Sequence, residues 1–155
     1  MKTSKNKLLV IRQLDKKLLI LDTLVKSNLP TTGWIKLIRN TLNMSLRQLG
    51  DRLLMTPQGV RDIERRELDE TITLKSLKEA GDALDMKFVY GFVPKSGSME
   101  KLIENKAREL AEKIVKRTSI TMKLEDQENS ETRLKEAVDE LTQEIKREMP
   151  GSLWG

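Results

Sequence analysis

SLRQLGDRLLMTPQGVRDIERR, residues 45 to 66, is the stretch whose reading decides the fold. Ser45 is followed three residues later by Gln48, the spacing of a capping box, in which each side chain satisfies a free backbone N–H of the first helical turn. Leu46, Leu49 and Leu53 recur at helical spacing and make an inner face, leaving Arg47, Asp51 and Arg52 outside. Thr56-Pro57 then starts a second helix, because Thr is a good N-cap and Pro at the first helical position loses no needed hydrogen bond. Val60 and Ile63 face inward, and Gln58, Gly59, Arg61, Asp62 and Arg65 remain on the outer face. The joint is about three residues, the length used between two helices that read DNA.

The chemistry follows from the major groove, which admits one helix and brings its N-terminal side chains to base edges. Gln pairs with the N6/N7 edge of adenine through two hydrogen bonds, and Arg with the O6/N7 edge of guanine. Gln58 and Arg61, three apart, share a face; Asp62 can accept from cytosine or orient a neighbouring Arg. Free N–H groups at Ser45 and Thr56 suit phosphate oxygens. An ordinary solvated helical hairpin would show the same spacing, so both readings stand at this point.

Composition narrows the choice. The chain has 155 residues, 37% hydrophobic, 34% charged and only 3% aromatic, which favours helices around modest cores over a β-sandwich and implies one domain, or one small domain with extensions. It contains no Cys and no His, which removes disulfides, a thiolate nucleophile and the commonest general base and metal ligand. No Gly-rich phosphate loop or metal-ligand spacing appears, so no enzyme activity, metal or cofactor is expected. The apolar run at residues 8 to 11 is cut off by Arg12, Asp15, Lys16 and Lys17, so neither a signal peptide nor a membrane span is expected, and the expected location is cytoplasmic. The charge is uneven. Residues 1 to 96 carry 18 Lys and Arg against 11 Asp and Glu, whereas residues 97 to 155 carry 11 against 13. A basic front part suits a polyanion, since each phosphate contact releases counterions.

Working outward, residues 7 to 26 predict a helix with an a/d seam of Ile11, Leu14, Leu18, Leu21 and Val25. Two heptads are too few for an independent coiled coil, so it packs on its own domain or on a second subunit. After the linker Asn28 to Gly33, a helix starts near Trp34 with Ile35, Ile38 and Leu42 inward; Lys36 and Arg39 are exposed and in reach of phosphate, and Trp34 is a packing residue. Glu67 to Thr71 reads as a loop, and Thr73 caps a helix from Leu74 to Leu84 with Leu74, Leu77, Ala80, Ala83 and Leu84 inward. Lys87 to Val93, KFVYGFV, is rich in β-branched and aromatic residues and ends at Pro94, so it predicts a strand. A lone strand leaves its main chain unpaired. Pairing with the same strand of a second copy is one remedy, and an extended segment packed on its own bundle is the other.

Past a joint at Lys95 to Ser98, Met99 to Arg117 predicts a helix with Met99, Ile103, Ala107, Leu110 and Ile114 on one face and Glu104–Arg108 and Glu109–Lys113 pairs. Residues 118 to 129 are ambiguous. A last helix runs from about Ser130 to Met149, with Leu134, Val138, Leu141 and Ile145 inward, and Trp154 is expected to dock. The expected fold is mainly α: a helix-turn-helix bundle with N- and C-terminal helical extensions and one β-strand pairing across a dimer. Its segments are 1–32 (helix and linker), 33–86 (DNA-binding domain), 87–96 (strand and joint) and 97–155 (helical interaction region).

Residues 34 to 84 resemble the Xre family of phage-repressor-type helix-turn-helix proteins. MSLRQLGDRLLMTPQGVRDIE, Met44 to Glu64, carries the likeness: a Ser opening the first helix, Leu49 followed by the small Gly50, and Ile63-Glu64 in the second helix. The resemblance implies that Gln58, Arg61 and Asp62 face bases and that residues near Ser45, Gln48 and Thr56 hold the DNA backbone. With the outer-face residues Gly59 and Arg65 the expected base-reading set is complete, and Lys36, Arg39, Arg47 and Arg66 complete the expected phosphate set. Two positions depart from the family: Leu46 stands where a phosphate-gripping Gln is common, and Arg66 where Gly is common. A narrower resemblance, to the mobile mystery protein A family, rests on RQLD at Arg12 to Asp15, GWI at Gly33 to Ile35, FVYGFVP at Phe88 to Pro94, TMKLEDQ at Thr121 to Gln127 and the final Leu153-Trp154. It implies an Xre-type protein that resembles regulators or antitoxins and is encoded beside a Fic-domain protein on a mobile element. The expected function is a repressor of its own operon that binds an inverted-repeat operator in double-stranded DNA as a homodimer, since a homodimer presents two recognition helices to two half-sites. The alternative it implies is an antitoxin-like module that neutralises a neighbouring Fic-domain protein. Inhibitors that plug Fic enzymes carry Ser or Thr, three residues, Glu, then Gly or Asn. Thr121 to Glu125 is followed by Asp126, and Thr132 to Glu136 by Ala137, so neither completes that motif.

Overall fold

Apolar residues recurring at three- and four-residue spacing, with well-placed caps, make every regular element among the described residues a helix. The structure is a computed structural model that describes residues 4–124 and 131–155. The helices are α1 (Ser4–Lys26), α2 (Trp34–Thr41), α3 (Leu46–Leu53), α4 (Pro57–Leu68), α5 (Leu74–Ala83), α6 (Met99–Leu124) and α7 (Glu131–Glu148), followed by a 3-10 turn at Gly151–Trp154. They divide into two compact units, Leu24–Gly91 and Met1–Thr23 with Phe92–Gly155. No helix among the described residues is long and apolar enough to cross a membrane.

The Leu24–Gly91 unit is built around Ile35, Leu49, Val60, Ala80 and Leu84, one from each of α2 to α5 and the residue that follows α5. Leu49 and Val60 are fully buried, each contributing about 1.5–3 kcal/mol of transfer free energy. Caps set the helix starts. Ser45 and Gln48 form a complete capping box, the Gln48 amide donating to Ser45 Oγ at 3.1 Å and the Ser45 amide to Gln48 Oε1 at 2.8 Å. Thr56 and Thr73 accept from the amides of Gly59 and Ser76. Gly33, at φ +80°, precedes α2 and has no side chain to cap it. Glu67 of α4 does so instead, accepting from the amides of Trp34 at 2.7 Å and Ile35 at 3.0 Å. A Cβ on Gly33 would come within 2.8 Å of that carboxylate.

In the second unit Ile103, Ala107 and Ala111 of α6 meet Ile145 of α7 and Leu153 of the terminal turn. Buried Thr142 satisfies its hydroxyl on the Val138 carbonyl at 2.6 Å. The N-terminal helix packs within its own chain: Ile11 lies against this core, and the Asp15 carboxylate accepts from the amides of Met99 (2.6 Å) and Glu100 (3.3 Å), capping α6. Leu14 and Val25 of the expected seam are exposed, so that seam is not a buried coiled-coil stripe.

Several expectations are corrected. Residues 87 to 93 form no strand: the chain runs from 86 to 94 without turn, bend or ladder, because a strand is defined by a hydrogen-bonded neighbour and no described segment of this chain supplies one. Helix α4 extends through Glu67 and Leu68, and α6 seven residues past Arg117. Leu42 and Leu74 are exposed rather than inward, and Leu153 docks while Trp154 is exposed. Glu104 pairs with Lys146 and Lys101, and Arg108 with Asp139, so packing between α6 and α7 overrides the expected Glu104–Arg108 pair. Glu109 bonds Lys106 on its own helix, with the Lys113 charge a smaller influence. Lys146, held between Glu100 and Glu104 at 3.2 Å from each, keeps Glu104 below the ordinary carboxylate range through its hydrogen bond, assisted by the charge of Lys101. Glu125 and Asp126, part of the TMKLEDQ stretch and of the first Fic-motif candidate, lie outside the described residues.

Candidate nucleic-acid interface

Three residues, Leu54 to Thr56, join α3 to α4. Leu54 takes the left-handed conformation at φ 56°, and the Met55 amide closes the turn on the Gly50 carbonyl at 2.9 Å. Gly50 is required by close approach: a Cβ there would come within 2.6 Å of the Met55 carbonyl oxygen. The small residue after Leu49 therefore sets how tightly α4 folds back on α3.

Helix α4 has two chemically distinct sides. Val60, Ile63, Glu64 and Glu67 face the core and α2. Gln58, Arg61, Asp62 and Arg65 fall within an arc of about 100° on the other side, at 3.6 residues per turn. Gln58 and Arg61 are exposed, and neither side chain has a hydrogen-bonding partner among the described residues. Asp62 and Arg65 pair with each other. Gly59, half-buried, sits under Met55 and the Thr56 hydroxyl and serves the turn.

The basic residues expected at phosphate divide. Lys36 and Arg47 are exposed and unpartnered among the described residues. Arg39 is not exposed as expected. Its side chain is 10% exposed and that of Glu64 8%, with Nε donating to Oε1 at 2.7 Å, Nη2 to Oε2 at 3.4 Å and Nη1 to the Met44 carbonyl at 3.0 Å. A guanidinium so enclosed ties α2 to α4 and cannot reach phosphate. The Ser45 amide is also taken, by Gln48 Oε1, so any free amides at the start of α3 belong to Leu46 and Arg47. Arg66 is half-buried and leans on the loop that leaves α4, with Nη2 3.5 Å from the Thr71 carbonyl. Glu64 and Glu67, which hold α4 against α2, are supports that residue patterning did not assign. The Gly before Trp34 was the available signal, since a helix start without a capping side chain needs one from elsewhere.

Compared with known proteins, the chain matches no family model, no curated protein and no solved structure. Among the described residues no group of three acidic side chains could hold a metal ion. The outer face of α4 offers amide and guanidinium donors, and no nucleophile with an adjacent base.

Proposed function

We propose that this chain is a cytoplasmic, sequence-specific DNA-binding regulator of the Xre-type helix-turn-helix kind, acting as a two-fold pair of copies on an inverted-repeat operator and repressing its own operon. The observation that carries this reading is the unpaired Gln58 and Arg61 on the outer face of a helix whose inner face is clamped by Glu64 and Glu67. Buried pairing on one side fixes the orientation of α4, and free bidentate donors on the other suit base edges. Exposed Lys36 and Arg47 supply phosphate contacts. Two copies would present two such helices about one helical turn of DNA apart, joined by antiparallel pairing of residues 87 to 93.

The test is binding by the full-length chain to operator and random duplexes across salt. Gln58→Ala is expected to cost about 1–3 kcal/mol on the operator and relax preference at one base pair. Arg47→Ala should weaken both duplexes alike and lower the salt slope by about one. Equal loss on both duplexes for the Gln58 change would remove its assigned role. A second reading, an antitoxin-like module for a Fic-domain protein, is favoured by the separate core of the Met1–Thr23 and Phe92–Gly155 unit. Titration against such a protein, with operator binding followed in parallel, separates the two.

A further inference from the structure

The unit that carries α4 also carries an apolar groove that DNA reading does not use. It measures about 620 Å³, lies wholly within Leu24–Gly91, and is lined by Trp34, Ile38, Leu77, Leu84, Phe88 and Val89 among others. One wall is the chain leaving α5. From Lys87 to Val93 the main chain makes no backbone hydrogen bond among the described residues. Val89 is 66% exposed, Tyr90 69% and Phe92 82%. The rings of Phe88 and Tyr90 are stacked, with centroids 6.0 Å apart and planes at 18°, as neighbours on one face of an extended chain should be.

We propose that a second copy of this chain covers this face through an antiparallel ribbon whose two-fold axis passes through Tyr90, with the partner's Phe92 seated opposite Phe88 at the groove. This rests on the two-copy reading above and specifies its register. A two-fold contact brings one patch against itself, so the patch must be self-complementary. In Phe88-Val89-Tyr90-Gly91-Phe92 the aromatics are symmetric about Tyr90, one at every second residue. An axis on Tyr90 sets Phe88 against the partner's Phe92, Tyr90 against the partner's Tyr90, and Val89 against the partner's Gly91. A one-residue slip puts the two aromatic faces on opposite sides of the ribbon. Centring on Val89 or Gly91 leaves one aromatic of each copy without an aromatic opposite it. Pro94, which has no N–H, falls just outside the paired residues.

The groove belongs to the same contact by area. Tyr90, Phe92 and Val89 of two copies offer on the order of 600 Å² at typical side-chain sizes, whereas a stable interface buries about 1,200–2,000 Å². The adjoining apolar wall supplies the remainder.

The chain has no Cys, so single-cysteine variants of the full-length protein report the register cleanly. Opposed residues of an antiparallel pair have Cα atoms about 4.5–5.5 Å apart, within disulfide reach, while diagonal neighbours at about 7–8 Å are beyond it. Under mild oxidation without DNA, Tyr90→Cys should give a covalent dimer, Val89→Cys and Gly91→Cys alone should not, and a mixture of the last two should. Phe92→Asp should halve the solution mass while leaving helical circular dichroism unchanged. Cross-linking by Val89→Cys alone, no cross-link with Tyr90→Cys, or an unmodified chain that runs as a single copy at every concentration overturns the proposal. None of these readouts involves DNA. Loss of operator recognition with this cross-linking pattern intact would overturn the DNA reading alone, and half-site binding by a single copy would overturn the ribbon alone.

Discussion

Replacing Glu64 by Gln should be among the most damaging single changes in the Leu24–Gly91 unit. The change keeps the volume and removes the charge. It leaves the Arg39 guanidinium, its side chain 10% exposed, with neutral acceptors alone, the Met44 carbonyl at 3.0 Å and the new amide oxygen, and no counterion, where the wild type has carboxylate contacts at 2.7 and 3.4 Å. Breaking a buried pair by removing one partner costs about 3–5 kcal/mol, because the remaining charge stays desolvated. Total stabilities of about 5–15 kcal/mol make that a large share. At roughly 4–8 °C per kcal/mol for a unit of this size, the melting temperature should fall by about 10 °C or more. The chain has two Trp residues, Trp34 in this unit and Trp154 in the other, so urea titration followed by Trp34 fluorescence in a Trp154→Phe background isolates the effect. Replacing both partners, Arg39→Met with Glu64→Leu, should recover most or all of the loss, because an apolar pair carries no desolvation cost. A Glu64→Gln cost below about 1 kcal/mol, or a double variant no more stable than the single, would refute the claim that an enclosed charge is what makes this contact matter.

Two further outcomes follow from geometry. Gly50→Ala should destabilise the same unit by about 1–3 kcal/mol despite the better helix propensity of Ala, because the added methyl meets the Met55 carbonyl at 2.6 Å; denaturation midpoints check it, and an unchanged or raised midpoint would sink the close-approach argument. Glu104 is depressed by the Lys146 hydrogen bond, so its stabilisation is present above its unfolded value and lost as pH falls through the lower folded one. Lys146 is raised despite its own desolvation, through its bonds to Glu100 and Glu104, so its contribution is present below its unfolded value and lost as pH rises through the folded one. Lys146→Met should flatten both limbs of the midpoint-against-pH curve read from Trp154, and an acid limb as steep as the wild type's would contradict the pairing.

What could be read from residue order was whatever local chemistry decides. Ser45 with Gln48, Thr56 with Pro57, and Thr73 are caps whose partners lie within three residues, and the structure has all of them. The inward positions of Leu49, Val60, Ala80, Ile103 and Ile145 follow from helical periodicity alone. The failures are long-range. Arg39 lies on a helix whose pattern leaves it polar and apparently free, yet its partner is 25 residues away. Glu67 looks like the start of a loop until the uncapped α2, 33 residues earlier, is placed beside it. Asp15 caps a helix 84 residues on. The segment at 87 to 93 fails for a different reason: β propensity is a property of the residues, but a strand is a property of a pair.

The two glutamates of α4 also bear on why its outer face is available. An arginine helix that docks through its own basic residues would spend the donors it needs for recognition. Here the inner contacts use carboxylates, Glu64 on Arg39 and Glu67 on the amides that open α2. The negative charge of α4 is thereby consumed inside the unit, against a guanidinium and a helix N-terminus where it is most stabilising. The remaining acid on the outer side, Asp62, is neutralised by Arg65. The face that results carries Gln58 and Arg61 with their hydrogen-bonding capacity intact and no unpaired carboxylate beside them to repel a phosphate. Placing Glu64 and Glu67 inward and Gln58 and Arg61 outward on one twelve-residue helix gives a single element both a core wall and an exposed face whose donors are free.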